Sequence, residues 1–262
     1  MKLKKAHDFE TLSGLLMKYH IRRGIVTNNF LSGERRSDCI AAGSLSYCCD
    51  EENLFLLEDR GHFYRLYFDM ADIEALPSFD VSDKPVVTEI VLRPGDANSL
   101  SAAQAFSRAG FEKALTRERM QRGAADISGD KQGAVPAVRE DMEAVGALLG
   151  RNFDPFTGCL LGAQELLREL DAGLIYKLSA EDRIAGILHF SADKKGVEIR
   201  HLAVDGPQRG KGIASRLMRR CLLDHGGGAR LWVAQENEGA KAFYRKHGFS
   251  ADGWESYVMI KK

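Results

Sequence analysis

The stretch HLAVDGPQRGKGIASRLMRRC, residues 201–221, joins an apolar run to a helix-like run across two glycines, Gly210 and Gly212, that flank Lys211. Glycine weakens a helix by about 1 kcal/mol relative to alanine. A pair of glycines at a helix entrance therefore implies that something approaches the backbone closely there. Downstream, Ile213, Leu217 and Cys221 recur every four residues, with Ala214, Met218 and Leu222 beside them. Ser215, Arg216, Arg219 and Arg220 take the other face. This predicts an amphipathic helix packed on a sheet. Upstream, 196–205 reads as a strand from its β-branched content and bounding turns.

Glycine pairs at helix starts commonly receive phosphates, and three phosphate-binding patterns bear on this loop. A nucleotide P-loop needs G-x-x-x-x-G-K-[ST]. Gly206 and Gly210 stand one residue too close, and Gly212 follows Lys211 where Ser or Thr should bind magnesium. A dinucleotide loop needs G-x-G-x-x-G/A, but Ser215 occupies the third position and no acidic ribose-binding residue follows at the right distance.

The third pattern fits. QRGKGIA, 208–214, resembles the Q/R-x-x-G-x-G/A signature of the GNAT acetyltransferase superfamily, with Gln208 or Arg209 as its first residue according to alignment. Helix N-termini present unpaired N–H groups and the positive end of the helix dipole to an anion. Glycines remove the Cβ atoms that would hold a diphosphate away. The resemblance continues at Asn237, Ala240, Tyr244, Gly248 and Phe249, which fall on the family's N-x-x-A-x-x-x-Y-x-x-x-G-F element. It covers roughly 133–262.

The resemblance implies acetyl-CoA as co-substrate, bound along Leu202, Ala203 and Val204 and at Gln208, Arg209, Gly210, Lys211, Gly212, Ile213 and Ala214. It further implies Tyr244 as the general acid for the departing thiolate. Tyr244 also fits a core aromatic, because Ala240, Phe243, Tyr244 and His247 share helical spacing. Glu198 is the candidate base, with a solvated sheet glutamate or ordered water alone as alternatives. Strand alternation puts His201 on the face opposite Glu198. Asn237 either touches the CoA arm or simply caps the helix. The acceptor is expected to be an amine of a small molecule or peptide, with GRNFDPFTG, 150–158, among the segments around it.

The rest of the chain bounds this reading. Its 262 residues suit one large domain or two ordinary ones. A Gly-, Ala-, Ser- and Asp-rich stretch near the middle predicts a linker at 123–133 between domains at 1–122 and 134–262. Strands are expected at 53–68 as a hairpin, 86–92, 134–138, 174–180, 183–192, 196–205, 229–235 and 254–262, with helices between. The fold class is α/β, an α+β mixed sheet with helices on its faces, in two tandem GNAT-like domains.

Ala102, Phe106, Gly110 and Phe111 match Ala240, Tyr244, Gly248 and Phe249 at one constant offset, which predicts a tandem duplication. The first copy has Phe106 in place of Tyr244 and no glycine pair between Gly61 and Gly95. It is expected to be degenerate and to hold no CoA.

Lys+Arg and Asp+Glu are both 37, so the net charge of zero argues against a chain-wide nucleic-acid or membrane footprint. Five cysteines without a C-x-x-C pair suggest reduced thiols in a cytoplasmic protein. No metal-ligand spacing occurs, so no metal is expected. The polar residues His7, Asp8 and Glu10 make the N-terminus an amphipathic helix rather than a signal peptide. A monomer or homodimer is expected. The alternative to an enzyme is a non-enzymatic acyl-CoA-binding or regulatory module.

Overall fold

The computed structural model describes residues 3–79, 84–124, 133–193 and 196–262. The chain forms two compact units: Met1–Arg117 together with Gly253–Lys262, and Glu118–Asp252. Most of the expected linker, 125–132, lies outside the described residues.

In chain order the first unit contains β1 (Lys4–Lys5), α1 (Phe9–His20), β2 (Val26–Thr27), α2 (Gly33–Ala41), β3 (Leu45–Cys49), β4 (Asn53–Asp59), β5 (Tyr64–Met70), β6 (Val86–Leu92) and α3 (Ala97–Arg108). The strand β7 (Glu112–Arg122) runs from this unit into the second. The run Leu54–Leu57 in β4 is buried throughout, because both faces of the sheet are covered. Phe55 and Leu57 join Ala102 and Phe106 of α3 in one core. Leu54 and Leu56 join Leu12 and Leu16 of α1 and Cys39 of α2 in another.

The second unit contains β8 (Val135–Pro136), α4 (Met142–Asn152), α5 (Ala163–Asp171), β9 (Ile175–Ala180), β10 (Arg183–Asp193), β11 (Gly196–Val204), α6 (Ile213–Asp224), β12 (Ala229–Ala234) and α7 (Glu238–Lys246). Its sheet runs β8-β9-β10-β11-β12, with β11 and β12 parallel. One face packs on α6 through Leu188, Phe190, Val197, Ile199, Ile213 and Leu217. The other packs on α4 and α5 through Val145, Leu148, Leu166, Ile187 and Ala203.

The last strand, β13 (Ser250–Lys261), departs from the linear division at 134–262. Glu255 to Lys261 pair antiparallel with Leu92 to Val86 of β6, so the tail belongs to the first unit. The cause is apolar: Val258 and Met259 are buried, and Met259 joins the core of α3.

The two segments matched by sequence share one local structure. α3 ends at Gly110 with φ +90°, and Phe111 is then buried. α7 ends at Gly248 with φ +82°, and Phe249 is then buried.

Candidate functional site

The site grows from the end of β11. Val197, Glu198 and Ile199 pair with Ala229, Arg230 and Leu231 of β12, and the pairing stops there. From His201 to Val204, β11 keeps β10 as its partner, while among the described residues its pairing with β12 on the other edge ends at Ile199. That edge carries the backbone of Leu202, Ala203 and Val204. A strand edge without a neighbour offers N–H and C=O groups to an extended ligand.

β11 also contains a bulge. His201 faces His189, but Ile199 faces Phe190, so Arg200 is an extra residue. The bulge reverses the alternation of side chains. Val197 and Ile199 pack toward α6, as do Leu202 and Val204, whereas Ala203 packs toward α4 and α5. Glu198 and His201 therefore share a face. This corrects the expectation from simple alternation.

After β11 a single 3-10 turn at Gly206–Gln208 leads into the glycine loop. Gly210 has φ +78° and Gly212 has φ +77°, the left-handed region that side chains with a Cβ rarely adopt. A Cβ added at either would meet nothing within 4 Å, so the space in front of both is open. Gly212 is the N-cap of α6, and no side chain caps this helix. Its first backbone bond runs from the Arg216 N–H to the Gly212 carbonyl at 3.1 Å. The amides of Ile213, Ala214 and Ser215 precede that bond and point out of the helix end.

The charged residues brace the loop. Arg209 donates through Nη2 to Asn152 Oδ1 at 2.8 Å and through Nε to the Val204 carbonyl at 3.3 Å. Lys211 Nζ donates to Gln208 Oε1 at 2.9 Å. Arg209 and Lys211 remain exposed, with their positive charge beside the open helix end. Exposed amides, bare glycine backbone and two cations fit a diphosphate.

Tyr244 lies on α7 against the core beneath α6, with its ring 5.9 Å from that of Phe249. Burial alone pushes its phenol up to about 12. It thus holds its proton through the whole physiological range. Asn237 caps α7, accepting from the Ala240 N–H at 3.0 Å, which leaves its Nδ2 as the group able to reach a ligand. Glu198 is held by two guanidinium groups: Arg230 Nε at 2.9 Å and Arg200 Nη1 at 3.4 Å.

Sequence reasoning missed a buried array behind β11. His189 and His201 are each 4% exposed, and their Nδ1 atoms are 3.0 Å apart. Glu169 of α5 meets His189 Nε2 at 3.2 Å, and the Gly158 carbonyl meets His201 Nε2 at 2.8 Å. The signal available was two histidines at apolar strand positions, which periodicity alone reads as core.

Among the described residues, no group of three or more His, Cys, Asp or Glu is placed to hold a metal. No described helix is long and apolar enough to cross a membrane.

A family model described as the acetyltransferase (GNAT) domain matches residues 171–251. That segment holds β9 to α7 almost entire, including the glycine loop and Tyr244. No curated protein matches the sequence. Among solved structures, a GNAT-family acetyltransferase from Colwellia psychrerythraea is similar over 100% of both chains, with TM-score 0.58 and 13% identity. A GCN5-related N-acetyltransferase from Sphaerobacter thermophilus is similar over 88% of this chain and 86% of its own, with TM-score 0.56 and 16% identity. A GCN5-related glucosamine N-acetyltransferase region of a fungal multi-domain GH3 beta-N-acetylglucosaminidase covers 99% of this chain and 38% of its own, with TM-score 0.62 and 13% identity. At these identities the likeness is one of fold. Residues 171–251 thus match the GNAT acetyltransferase domain, and the mixed α/β fold of the chain is similar to that of solved GNAT-family acetyltransferases.

Proposed function

We propose that the second unit transfers an acetyl group from acetyl-CoA to an amine of a small molecule or peptide, by direct attack on the thioester. The observation that carries this reading is the edge of β11 beyond Ile199, which has no strand partner among the described residues, running into an uncapped helix end with two left-handed glycines. An extended pantetheine adds along Leu202, Ala203 and Val204. The diphosphate then meets Gly210, Lys211, Gly212, Ile213 and Ala214, with Gln208 and Arg209 bracing the turn. Asn237 Nδ2 is the further donor toward the CoA arm.

The chemistry has three needs: loss of a proton from the amine, donors for the tetrahedral oxyanion, and a proton for the leaving thiolate. Backbone N–H groups at the end of β11 supply the second. Tyr244 supplies the third, because its buried phenol stays protonated. Glu198 of β11, or ordered water alone, takes the amine proton, and two arginine partners fix the position of the Glu198 carboxylate. The first unit, with Phe106 where the second has Tyr244, is a degenerate copy that carries no CoA site. A cytoplasmic location suits the five cysteines, none of which forms a disulfide among the described residues.

The test is thiol release from acetyl-CoA over a panel of amines, with Tyr244→Phe as the variant. Removing a general acid costs about 10²–10⁴ in rate. Turnover by the wild type and a loss of this size in the variant are expected, with CoA affinity nearly unchanged. Release that is equal in the two proteins removes Tyr244 from the mechanism. CoA binding without release on any amine favours the non-enzymatic acyl-CoA-binding module instead.

A further inference from the structure

The first unit holds a cavity that acyl-CoA chemistry leaves unused. Its volume is about 340 Å³, within the range of small-molecule sites. Two stretches of chain wall it, 20–27 after α1 and 93–98 before α3, both inside the first unit. His20, Ile25, Thr27, Arg93, Asp96 and Asn98 lie on the lining.

His20 is aimed from behind. Thr27 of β2 stands opposite Asp69 of β5, whose carboxylate is fully buried. Asp69 Oδ1 accepts from Thr27 Oγ1 at 2.7 Å and meets His20 Nδ1 at 3.0 Å. Asp69 Oδ2 accepts from Asn29 Nδ2 at 2.8 Å. A carboxylate only accepts, so His20 Nδ1 carries a proton and the neutral ring presents a lone pair at Nε2. Among the described residues Nε2 has no partner, and the ring is half exposed on the cavity. Arg93 is fixed by another route. The Asp96 N–H donates to the Arg93 carbonyl at 3.0 Å and closes a turn. That turn packs on the last strand, because a Cβ at Gly253 would come within 3.2 Å of Pro94 Cγ. The Arg93 guanidinium lies over the Trp254 ring, 5.4 Å from its centroid, and pairs with no carboxylate among the described residues.

Charge decides what such a cavity can take. Asp96 caps α3, with Oδ1 accepting from the Asn98 N–H at 3.0 Å and Oδ2 accepting from Ser99 Oγ. The helix end is therefore already served and does not call for an anion. The Asp96 carboxylate still has lone pairs to spare, since its two oxygens offer about four. The Thr27 hydroxyl is spent, because it also accepts from the Asn29 N–H at 3.0 Å. The lining thus combines one guanidinium, one carboxylate and one ring acceptor. A plain anion gains Arg93 and is repelled by Asp96, and a plain cation meets the reverse. An apolar molecule finds little beyond Ile25 to bury against. A small molecule carrying both charges satisfies all three groups.

We propose that the first unit binds a free α-amino acid in this cavity, with its carboxylate on Arg93 and its ammonium group on His20 Nε2 and Asp96. The planar guanidinium suits a carboxylate through two parallel N–H bonds. The ammonium group donates to the imidazole lone pair and to the carboxylate. Binding there does not depend on acetyl transfer by the second unit. The unit without a CoA site is then a ligand-binding unit in its own right.

The test screens the full chain against the common L-α-amino acids by thermal melting, with no CoA present. Each hit is run beside its amide, which lacks the carboxylate, and its N-acetyl form, which lacks the ammonium group. At a concentration roughly 100-fold above Kd, a bound amino acid should raise Tm by several degrees. Calorimetry then compares the hit on wild type, Arg93→Gln and His20→Ala, each checked for folding by circular dichroism. The amide, the N-acetyl form and Arg93→Gln should each weaken binding by about tenfold or more, the worth of a hydrogen bond to a charged group. His20→Ala should weaken it by roughly fivefold, one ordinary hydrogen bond. A screen in which no amino acid raises Tm overturns the proposal. So does a hit whose amide or N-acetyl form binds as tightly as the parent. Folded Arg93→Gln and His20→Ala proteins that bind the hit like wild type also overturn it, because binding then lies elsewhere in the chain.

Discussion

Tyr244 combines a core position with a polar tip, and burial gives the tip its chemistry. With its phenol at about 12, it remains a proton donor well beyond neutral pH. A pH–rate profile should therefore show no falling limb from Tyr244 below that value, and Tyr244→Phe should lower the plateau without moving its edges. A falling limb that disappears in the variant would contradict this. Gly210 and Gly212 are a different case. The space in front of them is open, so a side chain there would cost the backbone about 1–2 kcal/mol through left-handed strain and disturb no packing. Gly210→Ala should thus lower Tm by only a few degrees while cutting CoA affinity by tenfold or more, read by thermal melting and calorimetry. The glycine pair was legible in the sequence, and both glycines take a positive φ, whereas Tyr244 read both as a general acid and as a core aromatic, and it packs against the core. Glu198 was visible only as a strand glutamate. Its two arginine partners come from a neighbouring strand and from a bulge, and neither leaves a mark in local sequence. The histidine pair was hidden for the same reason, since each histidine sits alone in an apolar strand.

At the scale of elements, the decisive features are how β11 leaves β12 and how α6 packs beneath. The strand was readable from its own residues. The end of pairing after Ile199 was not, because it depends on where β12 diverges. The bulge at Arg200 was also invisible, and it moved His201 onto the face of Glu198. Gly186 of β10 shows how closely the helix is held. A Cβ there would lie 2.7 Å from Ile213 Cγ2 and 3.0 Å from the Ala203 carbonyl. The carbonyl belongs to the sheet and has no room to move. Gly186→Val should therefore cost about 1–3 kcal/mol by overpacking and push the start of α6 away from the sheet. CoA affinity should fall together with Tm, unlike at Gly210. A variant as stable as wild type would refute the close packing.

At the scale of the whole molecule, the chain order and the folded units differ in one strand. Residues 254–262 read as a strand, and the structure has one there. No local feature tells which unit it completes. Its neighbour in the sheet is β6, and Ser256 Oγ donates to Glu89 Oε1 at 2.7 Å. Ending the chain after Asp252 removes Val258 and Met259 from the first unit's core, about 2 kcal/mol each, along with a full ladder of backbone bonds. Limited proteolysis should then cut within residues 3–117 first. Cleavage confined to the second unit would contradict that assignment.

The central claim is that the loop 208–214 and the edge of β11 form a single acyl-CoA site. Calorimetry of the full chain with CoA, ATP and NAD, run beside Gly212→Val, tests it most directly. The account predicts one CoA per chain, no binding of ATP or NAD, and CoA binding at least tenfold weaker in the variant. No CoA binding, two CoA per chain, or a Gly212→Val protein that binds CoA as well as wild type would contradict it.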